Sequence, residues 1–250
     1  MTDVHVGVVG PDASGAATAV EAAEGRATAG SAVDVLDAGV DAVAALSESA
    51  LYDLVRAGVA ADTPVLPVDA GVGVPAVPAA GRDHALGRLV RGDYRASERT
   101  TLAVDARGSS YRAFADVMLT IAEAANISEY GITATGEYGE VAVDTVRADG
   151  VVVATPSGTR GYSRAANGPV VSPAVEAVTI VPIAPFRVER TDWVVRLPVT
   201  LTVERDEAPV SLLVDDRDVG RVGAGETVGV THADPVRLAV TADAYGFFDW

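Results

Sequence analysis

The stretch 149-DGVVVATPSGTRGYS-163 joins an apolar, β-branched run to a turn rich in glycine and hydroxyl-bearing residues. The run at 150–154 predicts a buried strand. In the turn, Gly158 and Gly161 carry no side chain, so the backbone can approach a ligand closely. The turn also opens a short helix whose free N–H groups favour an anion. A simple turn with helix-capping residues has the same composition, and this stretch alone leaves both interpretations open.

Hydrophobic periodicity differs on the two sides of residue 100. Before it, short apolar strands alternate with helical spacing, which indicates a parallel sheet with helices on its faces. The predicted strands are 4–10, 40–46 and 63–68, and the predicted helices are 13–30, 48–59 and 83–92. After residue 100, strand-like runs separated by turn signals predict an all-β sandwich, with one helix or tight turn at 160–168. We therefore expect an α/β domain over 1–100 and a β-sandwich domain over 101–234.

Composition excludes several classes of function. The formal net charge is −16, lysine is absent and all nineteen basic residues are arginine, which suits a salt-rich cytosol and disfavours nucleic acid as a partner. Cysteine is absent and the three histidines are widely spaced, so we predict no metal site. No apolar run approaches the roughly 20 residues that span a bilayer, and the N-terminus lacks signal-peptide features. We expect a cytoplasmic protein that does not bind membranes.

Ordered pieces around the opening stretch carry a family resemblance. They read RADG (147–150), TPSG (155–158), YS (162–163) and GP (168–169). In this order they resemble the NAD kinase family, which has a strand, a TP[TS]GSTAYS loop and a GGP turn. Three flanking segments also resemble family segments: RGDYRASERTTLAVD (91–105), AFADVML (113–119) and AVTIVPIAPF (177–186).

The resemblance implies an NAD kinase-like fold, in which NAD or NADP lies between an α/β domain and a β-sandwich. It also implies that 235–250 returns toward the first domain and that the chain assembles as a dimer or tetramer. Asp116 would accept hydrogen bonds from ribose hydroxyls. The other residues implied at the nucleotide site are Asp149, Thr155, Ser157, Thr159 and Tyr162.

Two arginines in this region are not part of the family pattern. Arg160 replaces a family threonine, and Arg164 follows four residues later at the start of the predicted short helix. On so acidic a chain, local arginines favour holding a phosphate through charge-assisted bidentate contacts. The alternative is that both arginines pair with surface carboxylates.

The main departure from the family lies after the second predicted strand. The family has a GGDGT motif there, whose aspartate acts on the ribose hydroxyl and whose glycines make room for phosphates. Here the chain reads LSESALY (46–52), so Glu48 falls on the aspartate, and Leu46, Ser47 and Ser49 fall on glycines. A plain helix start, with Ser47 as N-cap and Glu48 in the first turn, explains the same residues.

Three functions follow from retained and lost motifs. The first is a nucleotide-binding relative that binds NAD, NADP or another adenine nucleotide and is weakly active or inactive as a kinase. The second is an active NAD kinase that phosphorylates the NAD 2′-hydroxyl from ATP or polyphosphate, with Glu48 as base and Mg²⁺ entering with ATP. The third is a non-enzymatic interaction or regulatory protein.

Overall fold

The computed structural model describes residues 3–121, 127–186, 191–206 and 209–248, and the chain forms two compact units. The first unit comprises Met1–Arg99 and Asp234–Trp250, and the second comprises Thr100–Ala233. No helix among the described residues is long and apolar enough to cross a membrane.

The first unit is an α/β structure with a parallel sheet, as predicted. Its elements are β1 (His5–Val9), α1 (Ala13–Ala22), β2 (Arg26–Ala29), α2 (Ala32–Asp37), β3 (Ala42–Ala45), α3 (Glu48–Arg56), β4 (Val65–Pro67) and α4 (Arg82–Val90). The strand order is β2-β1-β3-β4, every pair is parallel, and the end of the last strand of the chain pairs with β4. Residues of β1 and β3 are buried throughout, as expected of strands covered on both faces.

One prediction in the first unit is wrong. Residues 13–30 do not form a single helix, because α1 ends at Ala22 and β2 begins at Arg26. The chain reverses at Glu24, whose φ of 65° is left-handed, and at Gly25, whose N–H donates to the Val20 carbonyl. Backbone pairing with β1 outweighs the helical propensity of the alanines.

The second unit is built from antiparallel strands, with short helical turns between two of them. Its elements are β5 (Arg95–Ala106), β6 (Ser109–Ala113), β7 (Asp116–Ile121), β8 (Ser128–Gly136), β9 (Gly139–Ala148), β10 (Gly150–Ala154), a 3-10 turn (Gly158–Arg160), α5 (Tyr162–Ala165), β11 (Val178–Ile183), β12 (Trp193–Arg205), β13 (Val210–Val214), β14 (Arg217–Val222) and β15 (Thr227–Val240). Strand β5 starts in the first unit and β15 ends there. Strand β15 is continuous from Thr227 to Val240.

Strand β10 lies in the middle of a sheet with the order β14-β13-β7-β10-β11-β12. Its side chains alternate between two apolar clusters. Val151 and Val153 pack in the main core of the unit, whereas Val152 and Ala154 pack on the opposite face with Ala166, which follows α5. Burial on both faces explains why the run is uniformly apolar, and it places the end of β10 directly beside α5.

Candidate functional site

Strand pairing brings Asp116 next to the turn that follows β10. Strands β10 and β7 are antiparallel, and the last residue of β10, Ala154, pairs with Asp116, the first residue of β7. Residues after Ala154 therefore lie beside residues before Asp116. This register brings together two segments far apart in sequence, the family-like turn and the AFAD segment.

Thr155 fixes the start of the turn. Its N–H donates to the Ala115 carbonyl at 2.9 Å, and its hydroxyl lies 2.9 Å from the Phe114 carbonyl and 3.1 Å from the Ala115 carbonyl. The same hydroxyl accepts the N–H of Gly158 at 3.2 Å. A Cβ at Gly158 would overlap the Ala115 carbonyl oxygen, so only glycine fits the turn as it is built.

Thr159 and Ser157 are buried in the same turn. The Thr159 hydroxyl donates to the Pro156 carbonyl at 2.6 Å and accepts the N–H of Val171 at 3.2 Å. These bonds tie the turn to the segment that approaches β11. The hydroxyls of Thr155 and Thr159 thus support the turn itself, which is a structural contribution to any site formed on it.

Asp116 and Gly161 lie close together. A Cβ at Gly161 would be 4.0 Å from Oδ2 of Asp116. The N–H of Asp116 donates to the carboxylate of Asp215 at 3.2 Å. Asp116 is 4% exposed, so its carboxylate is buried beside the turn.

The two arginines occupy different elements. Arg160 is the last residue of the 3-10 turn and is half-buried, whereas Arg164 is the third residue of α5 and is exposed. Tyr162, between them, has 56% of its surface exposed. Because α5 is only four residues long, its dipole adds little, and any phosphate would be held by side chains and turn N–H groups.

Asp149 does not join this group of residues. It precedes β10 at Gly150, and its backbone pairs with Ile183 and Ile121. A strand rises about 3.3 Å per residue, so Asp149 lies about 20 Å from the turn after β10. Asp149 is near Tyr130, and burial raises the pKa of that phenol to about 12, so Tyr130 stays protonated.

In the first unit, Glu48 is the first residue of α3. Ser47 is the N-cap, and its hydroxyl accepts the N–H of Ala50 at 3.0 Å. The interpretation of this segment as a capped helix start is therefore confirmed. The Glu48 carboxylate is exposed and lies against Gly71, where φ is +81° and a Cβ would overlap the carboxylate.

Leu46 directly follows β3, and its side chain is buried. It is 5% exposed and packs in the core of the first unit. A Cβ at Gly10, just after β1, would be 3.2 Å from the Leu46 Cβ and 3.1 Å from the Ala50 Cβ. Strands β1 and β3 are where the sheet order reverses, the usual place of a ligand crevice in such sheets. Here the chain packs tightly at that position.

The comparison with known families agrees with this geometry. Residues 116–240, half of the 250-residue chain, match the family model of the ATP-NAD kinase C-terminal domain. The chain belongs to the NAD kinase family. The matched range begins at Asp116 and includes the turn after β10, so it contains every nucleotide-site residue predicted from the sequence in the second unit.

Curated relatives match over part of their length. The NAD kinase of Gemmatimonas aurantiaca is 33% identical over 160 residues, which cover 60% of this chain and 54% of the relative. The NAD kinase of Bordetella pertussis is 31% identical over 182 residues, which cover 69% of this chain and 60% of the relative. The chain therefore spans between about half and three-fifths of these family members.

Two solved structures share the fold along nearly the whole chain. An NAD kinase from Archaeoglobus fulgidus in complex with ATP has a TM-score of 0.76 and 18% identity, covering 94% of this chain and 93% of that one. Yeast NADH kinase complexed with NADH has a TM-score of 0.77 and 17% identity, covering 96% of this chain and 84% of that one. At such low identity these likenesses establish the fold.

Asp215 is a residue of this region that the sequence analysis missed. The sequence predicts a turn at 215–218, and the structure has a two-residue turn at 215–216, with β14 beginning at Arg217. No sequence signal places its carboxylate beside 114–116, because that contact spans about a hundred residues of chain. Among the described residues, no three His, Asp or Glu side chains are grouped to hold a metal ion.

Proposed function

We propose that the chain binds an adenine dinucleotide, NAD or NADP, on the turn that follows β10. The observation that carries this proposal is the position of Asp116, whose carboxylate is held beside Gly161 by the register of β7 and β10. A carboxylate accepts hydrogen bonds from the two ribose hydroxyls, and a side-chain-free turn leaves space beside it. The named relatives support this ligand class, since yeast NADH kinase was solved with NADH.

Three side chains extend the proposed site beyond Asp116. Tyr162 offers an exposed aromatic face to a base or nicotinamide ring. Arg160 and Arg164 follow the glycine turn and provide positive charge for the pyrophosphate on a chain whose net charge is −16. The hydroxyls of Thr155 and Thr159 hold the conformation of the turn, in which Ser157 is also buried.

We further propose that phosphoryl transfer to the ribose 2′-hydroxyl is slow or absent. Transfer from ATP needs backbone space for the donor phosphates near the catalytic carboxylate. The buried side chain of Leu46 and the capping hydroxyl of Ser47 occupy positions where the resemblance predicts glycines. Glu48 lies in the first turn of α3. Mg²⁺ would enter bound to ATP, and no step is assigned to an ion held by the protein.

An active NAD kinase is the second candidate, and one contact favours it. The Glu48 carboxylate is exposed and lies against Gly71, so an acidic group remains available at the carboxyl edge of the parallel sheet. Glu48→Gln distinguishes the candidates. In an active enzyme it lowers NADP formation at least tenfold, a loss of about 1.4 kcal/mol of transition-state stabilisation, and in a silent relative it changes nothing.

Binding is tested by calorimetric titration of NAD, NADP and ATP at high salt, where the charge of the chain is screened. Asp116→Asn should weaken NAD binding about tenfold, the loss of one charge-assisted contact of about 1.4 kcal/mol. Arg160→Ala should weaken NAD and NADP binding to the same extent, because both nucleotides carry the pyrophosphate to which its charge is assigned. Asp218→Asn, at an exposed position near the start of β14, is the matched control.

Two outcomes of this titration would contradict the proposed binding site. If folded wild-type chain binds none of the three nucleotides, the proposed site is wrong and an interaction or regulatory role takes its place. If binding is intact and equal in wild type and Asp116→Asn, the ligand binds elsewhere on the chain.

A further inference from the structure

Asp215 is a buried carboxylate with an unusual set of partners. It is 4% exposed, and its two oxygens accept three consecutive backbone N–H groups. Oδ2 accepts the N–H of Phe114 at 2.9 Å, and Oδ1 accepts those of Ala115 at 2.7 Å and Asp116 at 3.2 Å. The Asp215 N–H in turn donates to the Asp116 carbonyl at 2.9 Å.

The segment 114–116 is thereby held from two sides. Asp215 accepts hydrogen bonds from its N–H groups. Thr155 donates hydrogen bonds to the carbonyls of Phe114 and Ala115. The segment has no regular secondary structure before β7 begins at Asp116. Its conformation, and with it the direction of the Asp116 side chain, depends on these two partners.

Holding Asp215 in place carries two energetic costs. A buried carboxylate loses its hydration, which the three N–H bonds compensate. Its φ of 52° lies in the left-handed region, where glycine or asparagine serves a simple hairpin turn equally well. Neither cost is needed to join β13 to β14, so the carboxylate is explained by what it holds.

We propose that Asp215 is a positioning residue for the nucleotide site, which orients Asp116 toward the ligand by fixing the backbone of 114–116. This inference rests on the proposed dinucleotide binding at Asp116. Asp215 itself has no contact with the ligand in this account. Its effect on binding is transmitted only through the segment that it holds.

Calorimetric titration with NAD at high salt tests this role in Asp215→Asn and Asp215→Gly. Asparagine tolerates the left-handed backbone and keeps one acceptor oxygen, whereas glycine relieves the backbone and removes both. We expect NAD affinity to fall in the order wild type, asparagine, glycine, with a loss of about tenfold for glycine, as is common for residues that orient a ligand-binding group. Asp216→Asn, at the adjacent exposed position, should bind as wild type does.

The double variant Asp116→Asn/Asp215→Asn separates positioning from general stability. If Asp215 acts through Asp116, the double variant binds NAD as weakly as Asp116→Asn alone, because interacting residues are non-additive. Additive losses contradict the proposal. Amide hydrogen exchange should also show faster exchange at 114–116 in Asp215→Gly than in Asp216→Asn, whether or not ligand is present.

Each remaining outcome decides between the two proposals. If Asp215→Gly binds NAD with the same affinity as wild type, the positioning role is wrong and the proposed function still stands. No NAD binding by folded wild type, with 114–116 still protected by Asp215, overturns the proposed function and with it the positioning role. If Asp215→Asn fails to fold, the glycine variant and Asp216→Asn supply the same comparison.

Discussion

Two turns that follow buried strands are built in opposite ways. After β10, a glycine lies where the backbone passes against the Ala115 carbonyl, and an acidic side chain lies beside the turn. After β3, Leu46 packs in the core and Ser47 caps α3, at the positions where the resemblance predicts glycines. Both strands are buried along their length, so the difference lies in the turns alone.

We propose that this difference separates binding from catalysis. After β3, Leu46 has a core position and Ser47 a capping role, so the turn is well folded without glycine. At Gly158 the backbone itself makes the contact with Ala115, and glycine is required there. We therefore expect substitutions after β10 to affect ligand binding, and those after β3 to affect stability alone.

The largest effect is expected for Gly158→Ala. The added methyl group overlaps the Ala115 carbonyl and must displace either the turn or the 114–116 segment, which costs about 3 kcal/mol of unfolding free energy and removes NAD binding. Gly223→Ala, which lies outside the proposed site, is the control, since a Cβ there would be 3.7 Å from its nearest neighbour, an oxygen of Glu226. Urea unfolding and NAD titration measure both. Equal behaviour of the two variants would show that the turn adapts easily.

Leu46→Ala should come next, with a loss of about 2 kcal/mol, typical of the lower range for a buried leucine. The loss arises because Leu46 packs in the core of the first unit beside Gly10. NAD affinity should stay unchanged, because binding is assigned to the second unit. A marked rise in NADP formation in this variant would show instead that Leu46 blocks a working phosphate site.

Ser47→Ala should cost about 1 kcal/mol through loss of the α3 cap. The hydroxyl that accepts the Ala50 N–H is removed, and no ligand contact is lost with it. Ser47→Asn keeps a capping oxygen and should restore most of the stability. If nucleotide affinity falls in both variants, although Ser47→Asn keeps the cap, Ser47 belongs to a phosphate site.

The smallest expected effect is a pH dependence of the free energy of unfolding, which arises from His5 in the first unit. His5 in β1 is buried, its Nδ1 accepts from Arg26 at 2.8 Å, and its Nε2 lies 2.8 Å from the Thr28 hydroxyl. Burial, and next the Arg26 charge, lower the pKa of His5, while Asp41 opposes the shift. The folded chain thus keeps His5 neutral at a pH where the unfolded chain takes up a proton.

The contribution of His5 to stability is complete above its ordinary pKa of 6.5 and decreases as the pH falls below it. His5→Gln should flatten this part of the pH profile without changing NAD affinity at pH 7.5. Urea unfolding of both proteins between pH 7.5 and 5.5 measures the difference. Identical slopes would remove His5 from the acid sensitivity.

The local sequence pattern was enough to predict much of the fold and the turn after β10. The apolar runs predicted the parallel and antiparallel regions, and Ser47 was recognisable as a cap because the sequence around it reads as a helix start. Strand β2 was missed, since RATA (26–29) has weak strand propensity and is stabilised by pairing with β1. The role of Asp215 depends on strand register and has no local signature.

The separation of binding from catalysis is tested most directly by measuring NADP formation in wild-type chain saturated with NAD, as established by titration, with ATP and Mg²⁺ at high salt. We expect a calorimetric binding signal for NAD together with little or no NADP, and the same result for Glu48→Gln. Rapid NADP formation that disappears in Glu48→Gln would contradict it, because the turn after β3 would then be a working phosphate site.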